Sequence, residues 1–180
     1  MSNDPAREVA DGSSQLAFVG RVLTVRVDPV RAKAGPTTRE VVVRPPAVAV
    51  VAETAQHRVV IVRQFRWAVQ EVLVELPAGI VEAGEDLEVA ARRELAEETG
   101  YVAARMSPLF SYYASPGYST ECVHLWHATD LTAGRPHGDP DEDIVVEQWT
   151  RDQALQLLAS GGITNGILLV GLLWWVNQPR

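Results

Sequence analysis

The stretch from Gly79 to Tyr101 reads GIVEAGEDLEVAARRELAEETGY and constrains the fold more than any other part of the chain. Leu87, Ala91, Glu94 and Glu98 stand at offsets of four, seven and eleven from the first, which is one face of an α-helix. An apolar stripe therefore turns acidic midway along its length. Carboxylates turned toward an interior need a cation or a proton. Glu85 and Asp86 sit where the positive end of that helix falls, and Gly100 lies just past its last turn, so the helix has both a start and a stop signal.

At 180 residues the chain is long enough for one compact domain with a full core, or for one domain with a small appended sheet. A hydrophobic fraction of 47% and a charged fraction of 22% are ordinary for a globular protein. The net charge of -7 argues against nonspecific nucleic-acid binding, because a phosphate backbone rewards a basic surface. A phosphorylated substrate would then need a metal to bridge it. Cys122 is the only cysteine, which excludes an intramolecular disulfide and a cysteine-rich zinc site. Met1 to Pro5 lack a basic, apolar secretory start, so a cytoplasmic location is expected. The apolar run Ile167 to Val176 is about half of the roughly 20 residues a membrane span needs, and is expected to pack rather than cross a bilayer.

Residues 1–14 are small and polar and are expected to form a flexible arm. A small antiparallel β region is expected over residues 15–45, from a strand over Leu16–Val27 and another over Thr38–Val43 after a Gly35-Pro36 turn. The main domain, residues 46–180, should carry strands at Ala47–Val51, Val59–Arg66, Leu73–Leu76, Leu109–Ala114, Glu121–Ala128 and Ile144–Trp149, with Pro77-Ala78-Gly79 as a turn. Thr150 can cap a helix over Arg151–Ala159, and Thr164 another to about Asn177. Strands and helices alternate without an internal repeat, which favours an α/β layer architecture with a mixed sheet.

Glu94 and Glu98 are one helical turn apart with Glu97 adjoining, so their oxygens can converge on hard cations, Mg2+ or Mn2+. Three carboxylates crowded without metal would repel one another. Mg2+ keeps several waters and prefers a few carboxylates plus substrate phosphate, so metal and a diphosphate substrate should bind together. An acidic amphipathic helix is the bland alternative, but the spacing disfavours it. Gly79, Glu85, Arg93, Glu94, Glu97, Glu98 and Gly100 in this register match by chance on the order of 10⁻⁹ to 10⁻⁸ per start.

The segment resembles the Nudix box, G-x5-E-x7-R-E-U-x-E-E-x-G-U with U a bulky apolar residue, and departs only at aromatic Tyr101. The resemblance implies metal-dependent hydrolysis of a nucleoside diphosphate joined to another group, on a Nudix-type α/β/α sandwich. It implies Glu94, Glu97 and Glu98 as metal ligands, the Ala78 main-chain carbonyl as a further one, more than one ion per site, and Glu85 with Arg93 as a supporting pair. The motif Ser115-Pro116-Gly117-Tyr118-Ser119-Thr120-Glu121 resembles the ADP-ribose pyrophosphatase branch. Thr38-Arg39-Glu40-Val41-Val42, Val62-Arg63-Gln64-Phe65-Arg66 and Glu75-Leu76-Pro77-Ala78-Gly79 agree with it. The implied products are AMP and ribose 5-phosphate.

In that branch a mobile acidic loop supplies the base that deprotonates the attacking water. Asp139-Pro140-Asp141-Glu142-Asp143 occupies its place, and Glu142 is chosen, with Asp141 and Asp143 as competitors. Arg39 and Arg66 are candidates for binding the diphosphate or a ribose, since a guanidinium is a planar, permanent charge; surface solubility is the rival explanation. Glu75, Gly117 and Glu121 complete the candidate substrate-binding set. His124 and His127 are three apart in a strand and so face opposite sides, against a paired metal site. A homodimer through the N-terminal strands is expected, because they cannot bury much alone. A hydrolase for another nucleotide sugar such as GDP-mannose, and a noncatalytic ligand-binding module of the same fold, are the competing readings.

Overall fold

A computed structural model of the chain describes residues 8–136 and 143–179. The chain divides into two compact units, one of residues 8–45 with Tyr113–Cys122, the other of the remaining described residues.

In the first unit, β3 (Thr24–Ala32) is central. It pairs antiparallel with β4 (Gly35–Val43) along its whole length, and on its other side with β2 (Gln15–Val19) and β1 (Val9–Ala10). The expected single strand over Leu16–Val27 is thus two strands, broken where the Gly20 N–H turns back to the Leu23 carbonyl. Gly35 and Pro36 lie inside β4, and the turn falls at Lys33-Ala34, because Arg31 and Ala32 continue the ladder onto Pro36 and Gly35. Val9 and Ala10 pair with Arg31 and Val30, inside the stretch expected to be an arm.

The second unit is an α/β structure built around a strand buried on both faces. Along β5 (Ala47–Ala52), Ala47, Ala49 and Val51 pack on one side with Val59 and Ile61 of β6 (Val59–Arg66) and with Ala154, Leu168, Leu172 and Trp175. Those last four belong to α2 (Arg151–Ser160) and α3 (Gly166–Val176). Val48, Val50 and Ala52, with Val60, face Ala90, Ala91 and Leu95 of α1 (Leu87–Thr99). Alternation along a continuous apolar strand therefore builds helix layers on both faces, the sandwich expected from the sequence.

From β5, β8 (Ala78–Ile80), β9 (Tyr101–Tyr113) and β10 (Cys122–Ala133), the mixed sheet takes the order β8-β5-β10-β9, with β8 antiparallel and β10 parallel to β5. From β6, β7 (Glu71–Glu75) and β11 (Val145–Trp149), the second sheet takes the order β11-β6-β7, all antiparallel. Ala78 and Gly79, expected in a turn, are ladder residues opposite Ala49 and Val48. β9 starts at Tyr101, directly after the α1 cap, and runs to Tyr113, so both long strands exceed their expected lengths. α3 is capped by Asn165 and not by Thr164; both residue types cap well, and packing decides between neighbours.

Candidate active site

The acidic helix begins where Asp86 caps it, accepting from the Glu88 and Val89 N–H groups at 2.9 and 3.3 Å. It ends at Gly100, which adopts φ 74° and donates to the Ala96 carbonyl. Its inward face carries Ala90, Ala91 and Leu95 into the core, and one turn further on it carries Glu98, only 7% exposed. One cation joins the residue before the cap to two acids farther along the helix. Arg93 Nε and Nη2 donate to the two oxygens of Glu85, each at 2.9 Å, while Nη1 donates to Glu94 at 2.7 Å and Glu97 at 3.0 Å. Nη2 also donates to the Ile80 carbonyl of β8 at 3.0 Å, tying the helix to the strand that precedes it. A planar guanidinium with a fork of donors can serve this many acceptors, and an ammonium cannot.

These partners set the charges. Hydrogen bonds from Arg93, and then the Glu82 N–H, pull the Glu85 carboxyl down to about 2. Glu85 in return, ahead of Glu94 and Glu97, raises the pKa of Arg93 against the opposing effect of burial. Both groups are ionised at any pH near neutrality.

The strand opposite is shaped for carboxylates. The Ala78 N–H donates to Glu98 Oε2 at 3.1 Å. A β-carbon at Gly79 would lie less than 3.0 Å from the Glu94 carboxylate, so only glycine lets this acid rest against the backbone of β8. Glu94, Glu97, Glu98 and the main chain at Ala78 are thus brought to one side of α1, as a hard-cation site requires. All the donors are oxygens, the set Mg2+ and Mn2+ favour, and the glycine leaves the space; the residues fit such an ion. Among the described residues no three acidic, histidine or cysteine side chains are already gathered about one point, because Arg93 and the Ala78 N–H hold these carboxylates individually.

Arg66 and Glu75 also meet. Arg66 Nε lies 3.0 and 3.1 Å from the two Glu75 oxygens and Nη2 lies 2.5 Å from Oε2, with Glu75 only 4% exposed and the Arg66 side chain half-buried. Gln64 projects from the same face of β6 as Arg66, since the two are two residues apart. It is buried, and its Oε1 has no hydrogen-bond partner. An orphaned buried amide costs free energy unless a ligand or water completes it.

Arg39, Gly117 and Glu121 belong to the first unit. There exposed Arg39 pairs with Glu8, Glu121 pairs with Arg44 at 3.1 Å, and Gly117 is exposed in the turn closed by the Ser119 N–H on the Ser115 carbonyl. Glu142 and Asp141 lie outside the described residues, and Asp143 is exposed. The two histidines have separate partners, as their spacing requires. His124 meets the Ser111 hydroxyl at 2.7 Å; His127 lies 3.3 Å from Glu53 and edge-on to the Trp174 ring.

Three functional candidates escaped the sequence reading. Gln64 carries no charge to mark it between Arg63 and Arg66, and Asn165 directly follows Thr164, an equally good cap. Glu53 follows β5 as an ordinary strand-end acid. Burial would raise its pKa, but hydrogen bonds from His57, Trp175 and His127 outweigh that and leave it lowered.

The family described as NUDIX domain matches residues 43–164. A protein of Bacillus methanolicus named methanol dehydrogenase activator is 43% identical over 144 residues, covering 78% of each chain. An ADP-ribose pyrophosphatase of Bacillus subtilis (strain 168) is 40% identical over 146 residues, 79% of each. A crystal structure of an ADP compounds hydrolase superposes with a TM-score of 0.78 over 91% of this chain and 89% of its own, at 23% identity, a likeness of fold.

Proposed function

The chain belongs to the NUDIX domain family and is a Nudix hydrolase, and from that premise we propose that it cleaves the diphosphate bond of ADP-ribose, giving AMP and ribose 5-phosphate. The observation that carries this reading is the placement of Glu94 and Glu98 against the backbone of Gly79 and Ala78, with Arg93 bracing Glu85, Glu94 and Glu97. The substrate follows the name of the B. subtilis relative. The B. methanolicus relative's name concerns another enzyme and names no substrate.

Glu94, Glu97, Glu98 and the Ala78 carbonyl would hold Mg2+ or Mn2+. When bound, such ions neutralise diphosphate charge and acidify water. The chain's own groups do the rest. Arg93 holds Glu94 and Glu97 in place, and the Ala78 N–H holds Glu98. Arg66, half exposed at the end of β6 and steadied by Glu75, offers positive charge to the diphosphate. Glu142 takes the proton of the attacking water; the new P–O bond forms in line with the bridging P–O bond, which breaks with its electron pair leaving on the other phosphate. The first unit supports a homodimer: every residue of β2 is exposed, Leu16, Phe18 and Val19 among them, and a second copy would cover them.

Phosphorus NMR of the purified protein with ADP-ribose and magnesium chloride tests the proposal. AMP and ribose 5-phosphate should appear, and a chelator should stop their formation. GDP-mannose, NADH and oxidised nucleoside triphosphates run in parallel; preferential cleavage of GDP-mannose would move the substrate assignment, and no cleavage of any of them would sink it.

A further inference from the structure

We infer that Asn165 is a positioning residue for the Arg66–Glu75 pair, holding the Glu75 carboxylate through one end of its amide while the other end starts α3. The inference rests on the reading of Arg66 as a diphosphate contact.

The amide of Asn165 is used at both ends. Its Oδ1 accepts from the Leu168 N–H at 2.9 Å, which caps α3, and its Nδ2 donates to Glu75 Oε1 at 2.9 Å. That same oxygen receives Arg66 Nε at 3.0 Å. Glu75 is thus gripped from two sides, by a guanidinium on β6 and by an amide at the start of a helix. The helix itself is seated close by: a β-carbon at Gly171 would collide with Leu76, the residue after Glu75, and would lie 3.2 Å from Val51. Close packing of α3 over Leu76 therefore sets where Asn165 stands relative to Glu75.

The chemistry selects asparagine at this position. Serine, threonine and aspartate all cap helices, but each would fail at Glu75. A hydroxyl is shorter than the amide, and an aspartate would set a carboxylate beside a carboxylate. Only an amide of this length supplies an acceptor for the helix and a donor for the acid. Without that donor the nearly buried Glu75 loses one of its fixed partners, and the orientation it imposes on Arg66 loosens.

Asn165→Ser and Asn165→Asp separate the two roles, since both keep a capping oxygen. Three quantities are read: the thermal midpoint, the Arg66 Nε–H resonance in nitrogen-15 spectra, and KM with kcat for ADP-ribose. Asn165→Ser should keep the thermal midpoint within a few degrees, shift the Arg66 resonance, and raise KM about five- to twentyfold with kcat within about twofold, the pattern of lost binding without lost chemistry. Asn165→Asp should shift the resonance further and raise KM more. Wild-type KM in both variants, or an Arg66 resonance that stays in place, overturns the inference. A wild-type protein that does not turn over ADP-ribose refutes the substrate reading, and the Arg66 resonance then decides the Asn165 link alone.

Discussion

Gly79 stands so close to Glu94 that no side chain could be added to it without displacing the glutamate carboxylate. The glycine that opens the acidic motif and the glutamate fifteen residues later are spaced in sequence by a strand, a turn and two helical turns, and they close on each other across the β8–α1 packing. Gly79→Ala tests that closure. The obstacle it meets is the far end of a flexible side chain, so the fold should survive with about 1 kcal/mol of destabilisation or less. Turnover of ADP-ribose should fall at least about tenfold, as expected when a catalytic group moves by about 1 Å. Steady-state kinetics beside a urea titration read both quantities, and a wild-type rate would detach Glu94 from the chemistry.

Glu98→Gln changes charge and little else. The amide oxygen can still accept from the Ala78 N–H, so circular dichroism and the thermal midpoint should be close to wild type. Loss of a hard anionic donor should lower kcat with magnesium by about a hundredfold or more and weaken magnesium uptake in calorimetry. Unchanged magnesium affinity would remove Glu98 from the ligand set.

Arg93→Lys keeps the charge and loses the fork. A lysine can satisfy one or two of the four acceptors Arg93 now serves, the carboxylates of Glu85, Glu94 and Glu97 and the Ile80 carbonyl. Urea unfolding should show a loss of roughly 1 to 3 kcal/mol, the usual size for a substitution that breaks a partly buried ion network. An equal stability for lysine would mean that charge alone matters here.

Acid should attack the same network at Glu85. The Glu85 carboxyl ionises at about 2 in the fold against 4.5 for an unperturbed glutamate, chiefly because Arg93 donates to it. A folded-state value below the unfolded one means that its stabilisation is complete above about pH 4.5 and is lost as pH falls toward about 2. Glu85→Gln should therefore flatten that part of the stability curve, measured by urea unfolding between about pH 5 and pH 3. A mutant that loses stability across this window as steeply as wild type would place the acid sensitivity elsewhere.

The exposed face of β2 predicts association. Wild type should scatter light as a dimer, and Leu16→Ser with Phe18→Ser should shift it toward monomer, because both side chains are more than half exposed. A monomeric wild type would leave that apolar strand without the partner proposed for it.

Much of the fold was legible because its signals are local. A strand such as Val59–Arg66 and a helix bounded by Asp86 and Gly100 announce themselves through apolar runs, caps and a left-handed glycine, each settled within a few residues. Signals failed where two good local choices compete. Thr164 and Asn165 both cap helices, and only the distance to Glu75 separates them. Pro77-Ala78-Gly79 carries turn residues, yet Ala78 and Gly79 pair with β5 because the ladder opposite needed partners.

The sequence alone determined the kind of chemistry, since a fixed spacing of glycine, arginine and glutamates on one helix can be read without knowing what packs against it. Tertiary structure decided how those acids are held: Arg93 reaching Glu85 and Ile80, Glu98 resting on the Ala78 N–H, Asn165 gripping Glu75 from 90 residues away. Periodicity fixes which face a residue occupies, whereas a hydrogen bond between distant segments depends on how the layers seat on one another, and no local pattern encodes that distance.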